Sequence, residues 1–439
     1  MSAEPTEHTA APSVAVATEH SGPALAGAAA RAPGLFYGWV IVGFTFVAQF
    51  LTIGTVFYTF GVLLKPLTET LGADRFLVSL ALSMQMVVVA ALSPWVGRWI
   101  AERSIRVLML AGSLLLALGL LLMSQIQALW QLYAAFGLIV SAGVAFAGPL
   151  PNNALLANWF VRRRGTALGI SQFGISISGA VMVPIATWLV SEYGWRVTFQ
   201  CLAIAPALLL APLVWLLVVN RPEDRGLLPD GDVSDGVAPQ PTPGTNWTLG
   251  TALRDRRIWL LTGVVGPGFM AVGAVVQAMH SHITDLGLSG MEASSVIVAM
   301  TLMGAIAKPL FGVLADHFDK RAVMGVSIAL QMLGLFLVLQ FDSRLGLMVA
   351  GTFFGLGYGA LMPLFTVLIG ALFGRADFGR IMGLMGPMML PFTLVGLPLT
   401  TFVFERTGSY APAFAGFLAF LVVAAIALLF LRLPTSAPD

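Results

Sequence analysis

The chain has 439 residues, of which 58% are hydrophobic and only 10% are charged, and its net charge is +2. A soluble globular domain carries about 25% charged residues, so this composition excludes an ordinary soluble protein. The single cysteine, Cys201, excludes a disulfide framework and a cysteine-based metal cluster. Apolar stretches of about 20 residues recur, and each can cross a bilayer core as a helix. The sequence therefore predicts an all-α polytopic membrane protein.

Twelve apolar segments follow one another along the chain, with a long polar stretch after the sixth. The predicted spans are 37–64, 76–97, 107–125, 129–158, 166–190, 196–219, 257–283, 292–314, 322–340, 345–372, 382–404 and 410–431. The polar stretch is acidic and rich in proline, which is typical of a flexible linker. We expect a disordered cytoplasmic tail (1–34), a six-helix bundle (35–220), a cytoplasmic central linker (221–256), a second six-helix bundle (257–433) and a cytoplasmic tail (434–439).

The basic residues predict the orientation of these spans. With the N-terminus in the cytoplasm, 17 of the 23 lysine and arginine residues fall on the cytoplasmic side and five fall in outer loops. Cytoplasmic loops of membrane proteins carry such an excess of basic residues. We therefore expect both termini in the cytoplasm, an even number of spans and a location in the cytoplasmic (inner) membrane.

The two halves of the chain repeat one another. The segments 94–107 and 309–323 both carry P-x-x-G, then A-[DE], then basic residues, and 158–169 corresponds similarly to 371–383. Two parallel six-helix repeats with a substrate site between them, near the bilayer midplane, form a known transporter architecture. The sequence thus predicts twelve transmembrane helices in two pseudo-symmetric bundles.

The repeated loop is a candidate cytoplasmic gate. Its glycine allows two helices to approach closely. Its acid lies at a helix end, where it can pair with arginines of neighbouring helices in one conformation and release them in another. A solvated loop charge is the alternative for either copy alone. The predicted gate residues are Gly97, Glu102, Arg106, Gly312, Asp316 and Arg321.

One lysine stands inside the eighth apolar segment, in the stretch GAIAKPLFGVLAD (304–316). A cation exposed to lipid costs about 2.5–3.5 kcal/mol, so Lys308 is expected to face a cavity or a partner. No aspartate or glutamate lies in the core of any predicted span. This asymmetry favours an anionic substrate, because a desolvated carboxylate is stabilised by an opposite charge and hydrogen-bond donors. The alternative is a lysine that extends to the cytoplasmic surface near Asp316.

Other polar side chains in the spans are candidates for lining the same cavity. The predicted substrate-binding residues are Lys308, Tyr58, Asn152, Asn153, Gln172, Gln277, His280 and Tyr358. An interface aromatic is the alternative for Tyr58, and a helix–helix hydrogen bond is the alternative for the amides. Gln49 lies about 180° round the first helix from Tyr58, so at most one of these two faces the cavity centre.

Several longer motifs occur in a fixed order. They are YGWVIV (37–42), GTVFYTFGVLLKPL (54–67), NWFVRRRGTALGISQFGISISG (158–179), GWR (194–196), WTLGTALRDRRIWLL (247–261) and AKPLFGVLAD (307–316). Together they resemble the monocarboxylate porter and oxalate/formate antiporter branch of the major facilitator superfamily, over residues 35 to 432. The resemblance implies the fold of that superfamily. It also implies that the cation in span 8, usually an arginine before proline, binds the substrate carboxylate.

This chain departs from the resembling family at three places. Lysine replaces the arginine at 308, and Gly304 stands where some animal members carry an acid. Without that acid, the acid-assisted proton relay of the family is not expected in this chain. The second cation that oxalate-type members carry in span 11 is missing here, which argues against a compact dianion as substrate. Glu102 replaces aspartate in the first copy of the gate loop.

These observations predict a secondary active transporter of a small monocarboxylate, coupled to protons and working by rocker-switch alternating access. We expect a monomer in the lipid bilayer, with a small carboxylate and protons as ligands, no cofactor and no nucleic-acid partner. The alternative is an exchanger or exporter of larger anionic or neutral organic compounds. An enzyme is not expected, because no catalytic motif such as HExxH, GxSxG or a nucleotide-binding loop is found.

Overall fold

The structure is a computed structural model that describes residues 36–232 and 247–433. Within these ranges the regular elements are all helices. The two predicted tails, 1–34 and 434–439, and residues 233–246 of the predicted linker lie outside the described residues. The all-α polytopic fold predicted from composition is confirmed.

Eleven stretches of the described chain are long and apolar enough to cross a membrane. The longest, Arg164–Leu217, contains non-helical backbone at Gly194 (φ 78°, ψ 167°), a conformation that glycine adopts without strain. This break divides it into two helices. The spanning helices are α1 (Tyr37–Leu71), α2 (Arg75–Glu102), α3 (Ile105–Met123), α4 (Leu129–Trp159), α5 (164–193), α6 (195–217), α7 (Arg256–Asp285), α8 (Gly290–His317), α9 (Lys320–Val338), α10 (Arg344–Phe373), α11 (Phe378–Thr407) and α12 (Ala411–Phe430).

Three of these helices contain a π-helical turn, at Gly54–Tyr58 in α1, Tyr133–Val140 in α4 and Ala205–Leu210 in α6. A π-turn inserts one residue into the helical period and so rotates the side chains that follow it; such turns are frequent at functional sites. Tyr58 is the last residue of the turn in α1. The side-chain period of the sequence predicts an uninterrupted α-helix here, so this detail was not foreseen.

Close crossings join the first and second halves of the chain at two places. Helix α2 packs along α11, and α5 packs along α8. Glycines face the opposing backbone at both crossings, which is how helices approach closely in lipid. We call these crossings the α2–α11 seam and the α5–α8 seam. The assignment of the two halves to separate six-helix bundles stays a prediction.

Both seams lie toward the end of the helices that carries the loops 103–104, 160–163, 318–319 and 374–377, which we call the basic face. The start of the central linker is bound to this face. The Asp230 carboxylate accepts hydrogen bonds from three successive backbone N–H groups at 161–163, at 2.8–3.1 Å. Glu223 forms an ion pair with Arg375 of the α10–α11 loop. Residues 221–232 therefore differ from the flexible stretch that composition alone predicts.

Candidate functional site

Lys308 lies away from both ends of α8, and its side chain reaches across to α5. Its Nζ donates a hydrogen bond to Ser176 Oγ at 2.5 Å. Among the described residues no carboxylate lies within ion-pair distance of this amine. An ammonium group has three donors, and one hydroxyl satisfies only one of them. The amine is therefore equipped to accept an anion.

The amine points away from the basic face. Helices α5 and α8 are antiparallel, because Gly165 faces Gly312 and Gly169 faces the backbone of Lys308. Ser176 lies about 15 Å further along the α5 axis than Thr166, at 1.5 Å per residue. Asp316 binds at Thr166. The structure thus gives Lys308 a partner deep in the α5–α8 seam, in place of the surface-directed alternative.

Two tyrosines lie against glycines that are one helical turn from Ser176 and from Lys308, on the side away from the basic face. The Tyr58 ring lies against Gly179 of α5, and the tip of Tyr358 lies against Gly304 of α8. The structure therefore brings together three predicted site residues, Lys308, Tyr58 and Tyr358.

Ser176 was missed by sequence reasoning. A serine within a span has no feature that separates it from the serines that bond to their own helix, as Ser178 does to Ile175 O. The available signal was its spacing. Ser176 follows Gln172 by four residues and precedes Gly179 by three, so all three share one face of α5.

The predicted amides of α4 and α5 form a fully buried cluster beside this site. Gln172 Nε2 donates to Asn153 Oδ1 at 3.4 Å, and Gln49 Nε2 of α1 donates to Ser171 Oγ at 2.5 Å. Asn152 uses its amide N–H groups on the backbone of its own helix, at Ala147 O and Gly148 O. Side-chain oxygens of Gln49, Asn152 and Gln172 have no hydrogen-bond partner among the described residues.

The remaining two predicted residues stand apart from this group. Gln277 and His280 are exposed on α7. Gln277 Nε2 donates to Gly273 O of its own helix at 3.0 Å, and His280 lies near Gly290, at the end of α8 away from the basic face. No hydrogen bond between described residues joins either side chain to Lys308 or the tyrosines.

The α2–α11 seam contains the first predicted gate element. A Cβ added at Gly97 would meet the backbone of Gly379 and Gly383, so only glycine fits here. Ser93 Oγ donates to Gly383 O at 2.8 Å. Glu102 accepts from Arg98 of its own helix at 3.1 Å and from Arg380 of α11 at 3.0 Å. The first acid thus pairs with arginines, one of which belongs to the other half of the chain.

The α5–α8 seam contains the second gate element, and here the acid has a different partner. Asp316 accepts from the backbone N–H of Gly165 at 2.7 Å, and from the N–H and hydroxyl of Thr166, both at 2.7 Å. These are the first free donors of α5, where the helix dipole favours a negative charge. The expectation of arginine partners for Asp316 is replaced by capping of a helix from the other half.

The two predicted gate arginines bind within their own halves. Arg106 Nε donates to Val218 O at 2.5 Å, and Arg321 Nη2 donates to Leu429 O at 3.1 Å. Both contacts tie a helix start to a neighbouring helix end on the basic face. Neither contact crosses a seam. Among the described residues, no group of three or more His, Cys, Asp or Glu side chains could hold a metal ion.

Comparison with known proteins places this arrangement in a family. The sequence model of the Major Facilitator Superfamily matches residues 44–280 and 268–439. The chain belongs to the Major Facilitator Superfamily. Members of this superfamily are transporters and not enzymes, so the expectation that the chain is not an enzyme is confirmed.

Relatives and solved structures agree with this assignment. Monocarboxylate transporter 11 of Mus musculus is 27% identical over 418 residues, covering 92% of this chain and 89% of that protein. Monocarboxylate transporter 2 of Homo sapiens is 24% identical over 416 residues, covering 90% and 85%. The E. coli fucose:proton symporter has a TM-score of 0.68 at 15% identity, covering 91% of this chain and 100% of that one. The proton:xylose symporter XylE has a TM-score of 0.71 at 13% identity, covering 90% and 96%. At such identities the structural likeness shows the fold.

Proposed function

We propose that this chain is a secondary active transporter that carries small monocarboxylate anions together with protons, by alternating access. The observation that supports it most directly is the amine of Lys308. It lies deep between α5 and α8, bound to one hydroxyl, and no described acid is near it. Relatives named as monocarboxylate transporters support the same class of substrate.

A carboxylate would complete the hydrogen bonding of this amine. Hydrogen bonds between ionised partners are about twice as strong as neutral ones. They also offset the cost of taking the ammonium and the carboxylate out of water. The Ser176 hydroxyl holds the amine in place when no anion is bound, and the Tyr58 hydroxyl is a further donor for the second carboxylate oxygen.

Proton coupling is assigned to the lysine itself. An acid four residues before Lys308 is absent, because position 304 is glycine. A protonated amine and a carboxylate stabilise each other, so the proton and the anion bind together and leave together. Lysine can lose its proton in a protein interior, whereas an arginine stays charged. The neutral pair then crosses as the two halves rock.

The basic face is held shut by the two seams, and rocking must separate both of them. Each seam contains an acid that binds a group of the opposite half, Glu102 to Arg380 and Asp316 to the start of α5. Contacts of this kind can form in one conformation and break in the other. They support alternating access in which the basic face opens after the substrate has bound.

Lys308→Ala tests the proposal, with Lys65→Ala as the control. Lys65 has a side chain that is 73% exposed, so its loss leaves the interior unchanged. In proteoliposomes we expect Lys308→Ala to lower substrate-dependent proton uptake by about 100-fold or more, because an unpaired buried carboxylate costs about 3–5 kcal/mol. Full proton uptake by Lys308→Ala with any monocarboxylate would show that the lysine is not the site.

Lys308→Arg separates anion binding from proton coupling. The guanidinium keeps the positive charge but does not release its proton. We expect it to retain carboxylate binding in a thermal-shift assay and to lose proton-coupled uptake. Counterflow with labelled monocarboxylates, against larger anionic or neutral compounds, decides between this proposal and the exchanger or exporter that the sequence also allows.

A further inference from the structure

Each tyrosine of the site lies on a glycine of the opposing helix face. An ideal Cβ at Gly304 would lie 2.5 Å from both Cζ and Oη of Tyr358, and one at Gly179 would lie 2.8 Å from Cε1 of Tyr58. Real Cβ atoms do not approach other atoms so closely. The absence of a side chain at each glycine is therefore what allows the tyrosine to lie flat against the helix.

The contact at Gly304 is with the movable end of a side chain. All three atoms that a Cβ would first meet belong to the tip of Tyr358, and no backbone atom is among them. The backbone of α10 is fixed beside it, because Gly359 faces Gly304 directly. A side chain at position 304 would thus leave the helix crossing in place and push the tyrosine tip away from α8.

The displaced tip would move toward the substrate. Gly304 precedes Lys308 by one helical turn on the same face of α8. Tyr58, from the other half of the chain, lies against Gly179 of α5, one turn beyond Ser176. A space lies beside the Lys308 amine and between the two tyrosines. Its size therefore depends on how closely the Tyr358 tip packs against Gly304.

We propose that Gly304 is a specificity-determining residue. Because it has no side chain, the Tyr358 tip can pack against it, and this packing sets the size of the carboxylates that reach Lys308. This inference rests on the proposed carboxylate transport and refines it. Position 304 is an acid in some animal members of the resembling family. In this chain it is glycine, and the missing side chain leaves space for the Tyr358 ring. On this proposal the withdrawn tyrosine admits monocarboxylates with a branched or aromatic body, and a side chain at position 304 would exclude them.

Gly304→Ala tests the size limit directly. The probes are 2-oxo acids of increasing bulk, namely pyruvate, 3-methyl-2-oxobutanoate and phenylpyruvate, taken up by proteoliposomes. One methylene in an apolar pocket changes discrimination by about 10- to 200-fold. We expect the phenylpyruvate-to-pyruvate ratio of kcat/KM to fall by about tenfold or more. The matched control is Gly61→Ala, since a Cβ there meets nothing within 4 Å, and its ratio should equal that of the wild type.

Tyr358→Ala shows whether the tyrosine transmits the effect. Mutations of residues in contact are non-additive, and a double-mutant cycle measures the coupling. In the Tyr358→Ala background, Gly304→Ala should leave the size ratio unchanged. Tyr358→Ala alone should raise the ratio, which gives a reading even if Gly304→Ala does not fold. A fall of the ratio in the Tyr358→Ala background, or no rise with Tyr358→Ala alone, would overturn the proposal.

The outcomes also separate this inference from the proposed function. A wild-type protein that takes up none of the three acids defeats both. A wild-type protein that takes them up, with Gly304→Ala slowing all three equally, defeats the size limit alone. A selective loss of the bulky acids by Gly304→Ala, together with loss of all three by Lys308→Ala, is the expected result.

Discussion

The two seams contain copies of the same repeated sequence, yet their acids bind different groups. In both, the glycine of P-x-x-G lies against glycines of the opposing helix: Gly97 against Gly379 and Gly383, and Gly312 against Gly165. At the α2–α11 seam the acid then forms an ion pair with Arg380. At the α5–α8 seam the acid binds the N–H groups that begin a helix.

The opposing helix accounts for the difference. Helix α5 begins at Arg164, directly opposite Asp316, and its first N–H groups have no partner in their own helix. Helix α11 instead presents Arg380 in its first turn. The repeat therefore places an acid at the end of a helix, and the partner half decides what the acid binds. Because the Glu102 side chain is 40% exposed, its ion pair is the weaker of the two contacts.

Gly312→Val should have the largest effect on this pair of seams. The added Cβ would collide with the backbone of Gly165, which cannot move aside as a side chain can. Overpacking costs about 1–3 kcal/mol, and we expect the upper end, a shift of roughly 100-fold toward the open basic face. The measurement is thiol labelling in nanodiscs of Ile100→Cys, a buried position of the other seam, in a Cys201→Ser background.

The position of that reporter makes the experiment informative about coupling. Cys201 is the chain's one cysteine, so the reporter is the only thiol once it is replaced. Labelling at 100 after a change at 312 shows that the two seams open as one unit. Gly61→Val is the control, since it faces open space. Unchanged labelling of Ile100→Cys in Gly312→Val would mean that the seams open independently.

Asp316→Asn should have an intermediate effect. An amide offers one acceptor oxygen in place of two, and it removes the negative charge from the start of α5. Hydrogen bonds to charged groups contribute about 1.5–3 kcal/mol. Since the amide keeps one acceptor oxygen, we expect a loss near the lower end, about 1.5–2 kcal/mol, so labelling of the same reporter should rise by about 10- to 30-fold. The matched control is Asp319→Asn, three residues further on. Asp319 caps its own helix α9 at Ala322 N and touches neither seam. Equal labelling of the two variants would contradict a gate role for Asp316.

Hydropathy was sufficient to predict the spans, because each must cross the bilayer core with its backbone hydrogen bonds satisfied internally. It even separated 166–190 from 196–219, where the structure has one long helix broken at Gly194. It could not predict the π-turn that ends at Tyr58. A π-turn changes the rotation of a helix without changing its composition, and the turn forms in response to the helices that surround it.

The site was predictable to the extent that it depends on charge. A lysine among spans without acids is visible in the sequence, and so is the glycine four residues before it. Two of its contacts join helices that are distant in sequence. They are the hydrogen bond of Lys308 to Ser176 and the packing of Tyr358 against Gly304. The spacing within α5 shows which face Ser176 shares, but no local pattern shows which distant side chain meets that face. Charge alone predicted an arginine partner for Glu102, whereas the N–H groups at the start of α5 that bind Asp316 carry no charge and were not predicted.

Glu102→Gln should have the smallest effect of the three. Exposed ion pairs contribute about 0.2–1 kcal/mol, so labelling of the buried reporter should rise at most about fivefold, and less at high salt because the pair is screened. Glu69→Gln serves as the control, since Glu69 forms an ion pair with Lys65 of its own exposed helix end. An effect of Glu102→Gln as large as that of Asp316→Asn would mean that the two acids contribute equally. The contact of Asp316 with the start of α5 would then stabilise the closed basic face no more than the Glu102 ion pair does. The two seams would differ in geometry but not in energy.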